Sequence, residues 1–247
     1  MNKIKNYLAF SLCKITEREV PIGSTLHQLG SFENYREVFE KIARPSFEKN
    51  LLDLDEIIVF KDEAKTIHNV FVNTFFNIYN LRKSEKCNIL FCGTDTYCQH
   101  PVEVFNKFDK FMMFNYTSPS SYGVIKDYFN CEVRYYPHDM PQEIWDYETH
   151  ASSWAGREDD CPIESPSVLE LAKNWLPEWN YEQVIYNTML WGQDITLEEA
   201  HRPDLAYQEP LGPEVNGDIS IKDAKIIHFH GSRQITDIIK KIEQIHL

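Results

Sequence analysis

The chain has 247 residues, a length that suits one full-sized domain, and 43% of them are hydrophobic, enough to fill a substantial core. Its 38 acidic and 25 basic side chains leave a net charge of −13, which disfavours extensive contact with nucleic-acid backbones or anionic membranes. No apolar run approaches the roughly 18–20 residues that cross a bilayer, and the six cysteines form no CxxC pair. We therefore expect a single cytoplasmic domain over residues 1–247, without a membrane span and with reduced cysteines.

The first half of the chain alternates apolar strands with amphipathic helices. Strands are predicted at 7–13, 56–60 and 88–92. A helix is expected around 35–43 and should end at Pro45, and Asp62 can cap a second helix. One apolar face of that second helix consists of Ile67, Val70, Phe71, Phe75 and Ile78. This β-α-β succession predicts a parallel sheet.

The second half is less regular. Further strands are predicted at 110–114, 132–136 and 225–230. Helices are expected near 122–129, from Ser167 to 174 or 175, from Tyr181 through 189, and from Ser232 to the end. The last helix should pack on the sheet through Ile235, Ile238, Ile239, Ile242 and Ile245. Surface loops are predicted over the acidic segment 141–165 and the proline-containing segment 201–220.

One candidate site follows the strand at 88–92. In an open parallel sheet, ligands favour the crevice beyond the carboxyl ends of the strands, where Gly93 and Asp95 should lie. A carboxylate at that place is costly to bury unless it is paired, hydrogen-bonded or bound to a cation. Asp95 is therefore either a turn residue that caps the next segment or a ligand of Mg²⁺ or Mn²⁺.

A second candidate site lies between the last predicted strand and the last helix. His228 and His230 alternate along the strand, so they should point to opposite faces and cannot both bind one metal ion. Gly231 permits close backbone approach, Ser232 begins a helix whose amides favour an anion, and Arg233 adds a permanent charge. The segment fits a phosphate site, and an ordinary Gly-Ser helix start explains the same residues equally well.

Three segments together resemble glycosyltransferases of the GT-A fold, family 8 type. Leu90–Thr96 looks like the Asp-x-Asp region, and Tyr181–Asn187 resembles the helix that the family places beside the sugar. Ile226–Arg233 is similar to the C-terminal His-Phe-x-Gly-x-Lys region, and the three segments occur in family order. The resemblance implies a GT-A-like (Rossmann-like) α/β fold, with a mixed, mainly parallel sheet flanked by helices.

The chain departs from the family pattern at three positions. Gly93 stands where the first Asp of Asp-x-Asp is expected, so that only Asp95 matches. Arg233 stands in place of a Lys, and Glu182 replaces the usual Asp before Gln183. The first departure removes a carboxylate that would contact the metal or the ribose.

The resemblance also implies an activity and a set of site residues. It implies a metal-dependent hexosyltransferase that moves a sugar from a nucleotide-diphosphate donor, expected to be a UDP-sugar, to a hydroxyl-bearing acceptor with retention. Asp95 and His228 would hold Mn²⁺ or Mg²⁺, and Gln183 and Glu182 would lie beside the reacting sugar. The donor and its cation would contact Phe10, Ser11, Gly93, Asp95, Gly231, Ser232 and Arg233.

Three alternatives remain open at this level. A metal-dependent phosphoesterase or other hydrolase could use Asp95 with the His228–His230 segment, although a two-metal site needs more ligands. A non-catalytic nucleotide-sugar-binding protein would explain the missing first Asp. If the protein is an inverting transferase, the acidic run 158–160 could supply its base, and Tyr136–Asp139 is a further candidate for sugar contact.

Overall fold

The computed structural model describes residues 3–15, 32–61, 63–64, 67–117, 128–141, 186–187, 189–190, 193–229 and 235–247. Several predictions therefore lie outside the described residues. They are the cap at Asp62, most of the acidic segment 141–165, the helix from Ser167 and the start of the helix at Tyr181. The described cysteines form no disulfide bonds: Cys13, Cys87, Cys92, Cys98 and Cys131.

The centre of the fold is a five-stranded sheet. Its strands are β1 (Lys5–Ser11), β3 (Glu56–Phe60), β5 (Cys87–Cys92), β7 (Met112–Thr117) and β8 (Tyr128–Tyr136). Their order is β3-β1-β5-β8-β7, with parallel pairing among β3, β1 and β5 and antiparallel pairing of β8 with both its neighbours. Four of the five strands thus run in the same direction, which confirms the prediction of an α/β fold with a mixed, mainly parallel sheet.

Helices cover both faces of this sheet. Helix α3 (Ile67–Ser84) packs on one face, where Phe75 and Ile78 join a buried cluster with β1 and β5. On the other face, a π-helical turn (Phe39–Ala43) and α2 (Arg44–Asn50) bury Phe39 and Phe47 against the strands. Helix α1 (Phe32–Val38) precedes them, and its Val38 is buried with Ile227 and Phe229 instead. The apolar residues of α3 recur at intervals of three and four, which explains why this helix buries a single face.

The prediction that Pro45 ends a helix is wrong. The helical run continues because Pro45 lies in the first turn of α2, where a backbone N–H has no partner within the helix in any case. The boundaries of β7 and β8 also differ from the prediction. Residues 128 and 129, expected in a helix, belong to β8, where Phe129 is buried and pairs with Tyr116.

A second sheet carries the C-terminal strand. It has the order β6-β10-β9, where β6 is Thr96–Cys98, β9 is Ala206–Glu209 and β10 is Ile226–Phe229. Strand β10 runs antiparallel to β6 and parallel to β9. Two further strands of two residues each, β2 (Lys14–Ile15) and β4 (Glu63–Ala64), pair in parallel and form a separate small sheet.

The prediction of a surface loop over 201–220 is wrong. This segment follows a short helix, α4 (Leu197–Ala200), and contains β9 and another short helix, α5 (Pro213–Asn216). The buried amide of Asn216 accepts from the backbone N–H of Gln208 and donates to its carbonyl, so a side chain completes one edge of β9. The prolines mislead because they lie at element ends rather than in a loop: Pro210 follows β9 and Pro213 begins α5.

The last helix, α6 (Ile235–His246), packs on the second sheet. Ile238 and Ile245 are buried with Ile227 and Phe229 of β10. This confirms the predicted apolar stripe except at Ile239, which is 41% exposed. Among the described helices, none combines the length and the apolar character that crossing a membrane requires.

Candidate active site

The first side of the site is the carboxyl edge of the central sheet. The parallel register of β1 and β5 pairs Tyr7 with Ile89 and Ala9 with Phe91. Ser11 ends β1, and Gly93 directly follows β5. Both predicted site residues therefore lie where the parallel strands end, the usual place for a ligand in such a sheet.

A tight turn carries the chain from the central sheet into the second sheet. The hydroxyl of Thr96 donates to the carbonyl of Gly93 at 2.7 Å, and β6 begins at Thr96 itself. The antiparallel register then sets Thr96 opposite His228, and the N–H of Phe229 donates to the carbonyl of Asp95 at 3.0 Å. The turn therefore brings Asp95 to the end of β10.

Asp95 and His228 form the centre of the candidate site. His228 Nε2 lies 3.6 Å from Asp95 Oδ2, with 3% of the histidine side chain and 17% of the aspartate side chain exposed. The two residues are predicted ligands of one metal ion, and the structure brings them together. However, His228 lies in β10 of the second sheet, which pairs antiparallel with β6, and not at the end of a strand of the central sheet.

Glu132 is a site residue that the sequence reasoning missed. It lies opposite Gly93, whose N–H donates to the carbonyl of Glu132 at 2.8 Å. A Cβ added to Gly93 would collide with Glu132 Oε2 and would lie 2.9 Å from Asp95 Oδ1. The carboxylates of Glu132 and Asp95 therefore border the same small space, which exists only because residue 93 has no side chain.

The donor set suits a hard divalent cation. Carboxylate oxygen and imidazole nitrogen are ligands that Mg²⁺ and Mn²⁺ accept, and neighbouring ligands of an octahedral Mg²⁺ at about 2.1 Å lie about 3 Å apart. The separation of 3.6 Å between Asp95 and His228 is close to that value. In the part of the chain that the structure describes, no three His, Cys, Asp or Glu side chains already converge on one point. The chain thus offers a pair of ligands with a second carboxylate, that of Glu132, nearby.

The thiols beside the site are poor nucleophiles. Cys92 directly precedes Gly93, and complete burial raises the pKa of its thiol well above the ordinary value. Burial likewise raises the pKa of Cys98, at the end of β6, to about 12. Because the thiolate is the reactive form, neither cysteine is activated as a nucleophile at neutral pH.

The remaining predicted site residues have different outcomes. The side chain of Phe10 packs between Phe39 and Phe47 in the core, so only its backbone could contact a ligand. The hydroxyl of Ser11 accepts from that of Thr74 at 3.0 Å. The predicted donor and sugar residues on the C-terminal side of the chain lie outside the described residues: Glu182, Gln183, Gly231, Ser232 and Arg233. His230, which belongs to the segment named for the hydrolase alternative, lies outside them too.

The segment Tyr136–Asp139 lies away from this site. Tyr136 pairs with Ile89 of β5, whereas Val133 pairs with Cys92, so β8 runs from the site towards the opposite edge of the sheet. There the N–H of His138 donates to the side-chain carbonyl of Asn88 at 2.8 Å. The structure therefore does not bring this proposed sugar contact together with Asp95.

Fold and site together define an α/β protein with a carboxylate–histidine pair at the carboxyl edge of its central sheet. Comparison with models of known protein families finds no match, and comparison with curated protein sequences finds none either. Among solved structures, the chain is similar to a glycosyltransferase involved in the glycosylation of the major capsid of PBCV-1. The similarity covers 98% of this chain and 100% of that chain, at 12% sequence identity and a TM-score of 0.46. At this sequence identity and TM-score, the similarity says nothing about activity. A proposal about activity therefore depends on the residues of this chain.

Proposed function

We propose that this chain is a metal-dependent glycosyltransferase. It would transfer a sugar from a nucleotide-diphosphate donor, expected to be a UDP-sugar, to a hydroxyl group of an acceptor with retention of configuration. The observation that carries the proposal is the pair of Asp95 and His228, more than a hundred residues apart in sequence and 3.6 Å apart in space. The three family-like segments named above supply the reaction class.

The chemistry requires neutralisation of charge on the leaving group. In the transfer, the bond between the anomeric carbon and the phosphate oxygen breaks, and the departing diphosphate keeps the bonding electron pair. The acceptor oxygen forms the new glycosidic bond and gives up its proton to that diphosphate. A divalent cation at the site would act as a Lewis acid towards the departing diphosphate. Asp95 and His228 would each contribute one ligand, leaving the other positions for phosphate oxygens and water.

The surroundings orient these two ligands. The backbone of Asp95 is bonded to Phe229, and the turn before β6 is closed by Thr96 and Gly93. His228 is held in β10, whose neighbours Ile227 and Phe229 are fully buried against α6. A rigid pair of this kind can bind a cation with little loss of side-chain freedom.

A thermal-shift experiment tests the proposal. We would heat the protein with Mn²⁺, with UDP, and with both together, because a ligand that binds only the folded form raises the melting temperature. At a concentration of 100 times Kd the stabilisation is about 2.7 kcal/mol. For a chain of this size the corresponding shift is roughly 5–10 °C. Absence of any shift with Mn²⁺, nucleotide or both would contradict the proposal.

Matched variants locate the effect. Asp95→Asn keeps the shape of the side chain and removes its charge, so it should abolish the Mn²⁺-dependent part of the shift. Asp218→Asn makes the same change at an exposed position and should leave the shift intact. Release of sugar from a UDP-sugar in the presence of Mn²⁺ would show transfer chemistry. Nucleotide binding without any turnover would favour the non-catalytic binding protein, and hydrolysis of simple phosphate esters would favour the phosphoesterase.

A further inference from the structure

We propose that Glu132 supplies the second carboxylate of the cation site, taking the place of the side chain that Gly93 lacks. This inference rests on the proposed metal-dependent function. Its basis is the shared space at Gly93, where a Cβ would collide with Glu132 Oε2 and approach Asp95 Oδ1 to 2.9 Å. A side chain at 93 and the present position of Glu132 therefore exclude each other.

A β-bulge places Glu132 at this point. The register of β7 and β8 pairs Met113 with Arg134 but Asn115 with Asn130, so that residues 131–133 of β8 stand opposite one residue of β7. The N–H of Glu132 donates to Asn130 Oδ1 at 2.9 Å, within its own strand. Bulges redirect side chains and are frequent beside active sites. Asn130 is thus a positioning residue for Glu132.

Asp95 lies between the other two candidate ligands. Its Oδ1 faces the space at Gly93 that Glu132 borders, and its Oδ2 faces His228 Nε2. The three groups do not yet meet on one point. Glu132 is only partly buried and has three side-chain torsions, so its carboxylate can turn towards a cation without a backbone movement.

The absence of a side chain at position 93 is then what allows Glu132 to occupy its present position. The family pattern puts a carboxylate directly on residue 93, whereas this chain brings one across from the neighbouring strand. The net number of carboxylates at the site is the same in both arrangements. If Glu132 supplies this carboxylate, the chain can bind a divalent cation without the first Asp of Asp-x-Asp.

Titration with Mn²⁺, followed by the electron paramagnetic resonance signal of the free ion and with UDP present or absent, tests the inference without an activity assay. Glu132→Gln should bind Mn²⁺ at least about tenfold more weakly than the unchanged protein, since even outer partners of metal ligands contribute about 10–100-fold. Glu56→Gln removes the same charge at an exposed position of β3 and should bind as the unchanged protein does. Equal affinity of Glu132→Gln and the unchanged protein would overturn the role of Glu132.

A swap of the two positions gives an independent test. Gly93→Ala leaves Glu132 chemically intact but forces its carboxylate away, so Mn²⁺ affinity should fall although the fold persists. Glu132→Ser should lose affinity too, and the double variant Gly93→Asp with Glu132→Ser should regain it to within about threefold, because a carboxylate returns to the same space. Unchanged affinity in Gly93→Ala would refute the inference.

The outcomes separate the two proposals. If the unchanged protein binds no Mn²⁺ with or without UDP, the metal-dependent function fails and the role of Glu132 fails with it. If the unchanged protein binds Mn²⁺ and loses affinity in Asp95→Asn but not in Glu132→Gln, the function stands and only the role of Glu132 fails. Far-UV circular dichroism of each variant checks that the fold is retained.

Discussion

Two neighbouring residues of α6 test how the last helix holds the second sheet. Ile238 is fully buried against β10, whereas Ile239 is 41% exposed on the same helix turn. Replacing each by Ala makes the same chemical change at two different burials. The helix propensity of Ala is better than that of Ile by about 0.4 kcal/mol at both positions, so this gain cancels in the comparison.

The expected losses differ in size. Truncating a fully buried Ile to Ala costs about 2–5 kcal/mol, through the lost transfer free energy and the cavity that remains. At Ile239 much of the side chain already contacts water, and the expected net loss is below about 1 kcal/mol. In a chain of this length these losses lower the melting temperature by roughly 4–20 °C and by less than about 4 °C respectively.

Thermal and urea unfolding followed by circular dichroism measure both variants. Amide hydrogen exchange of β10 gives a local measurement, and protection at Ile227 and Phe229 should fall in Ile238→Ala and persist in Ile239→Ala. If the two variants lose the same stability, or if Ile239→Ala loses more, α6 does not pack on β10 through Ile238.

Two further predictions concern pH and thiol reactivity. The ammonium of Lys3 and the N–H of Asn6 lower the pKa of Asp55 below its usual 3.8, so its charge stabilises the fold at neutral pH. This contribution is lost as the pH falls through the lowered pKa. In urea unfolding, Asp55→Asn should therefore have a lower free energy of unfolding than the unchanged protein at pH 7, and the difference should shrink towards pH 2. An equal difference at both pH values would contradict the prediction. Burial raises the pKa of Cys87 to about 11 and of Cys98 to about 12, so mapped labelling with a thiol reagent should reach the half-buried Cys13 before either of them. Fast labelling of native Cys98 would oppose this assignment.

The central sheet could be predicted because its signals are local. Strands β1, β3 and β5 are short apolar runs, and α3 carries its apolar residues at helical spacing. Each pattern depends only on residues within one element, which is why element type and parallel pairing follow directly from them.

The second sheet could not be predicted in this way. Strand β6 has three residues and β9 has four, too few for a clear period, and both depend on β10 for their pairing. The buried amide of Asn216 that completes β9 is likewise a tertiary contact. Local residue preferences give no information about such partners.

The candidate site could be predicted only in part, because some of its residues have local sequence signals and others depend on tertiary contacts. Asp95 and His228 were found because each stands at the end of an apolar run beside a turn. Glu132 was missed because its role depends on a cross-strand position and a bulge, neither of which a single strand's sequence shows. The available signal was Gly93, a glycine at a position where the family carries a carboxylate.

The pairing of β6 with β10 has a consequence for the order of folding. Thr96 and His228 are partners across more than a hundred residues, so this contact requires the closure of a long loop. The nearer pairings of the central sheet can form earlier, because contacts between distant residues are slow to form. Asp95 and His228 would then become neighbours only when folding is nearly complete. We expect a cation held by both to slow unfolding while leaving the folding rate almost unchanged, since interactions absent from the transition state act on the unfolding step.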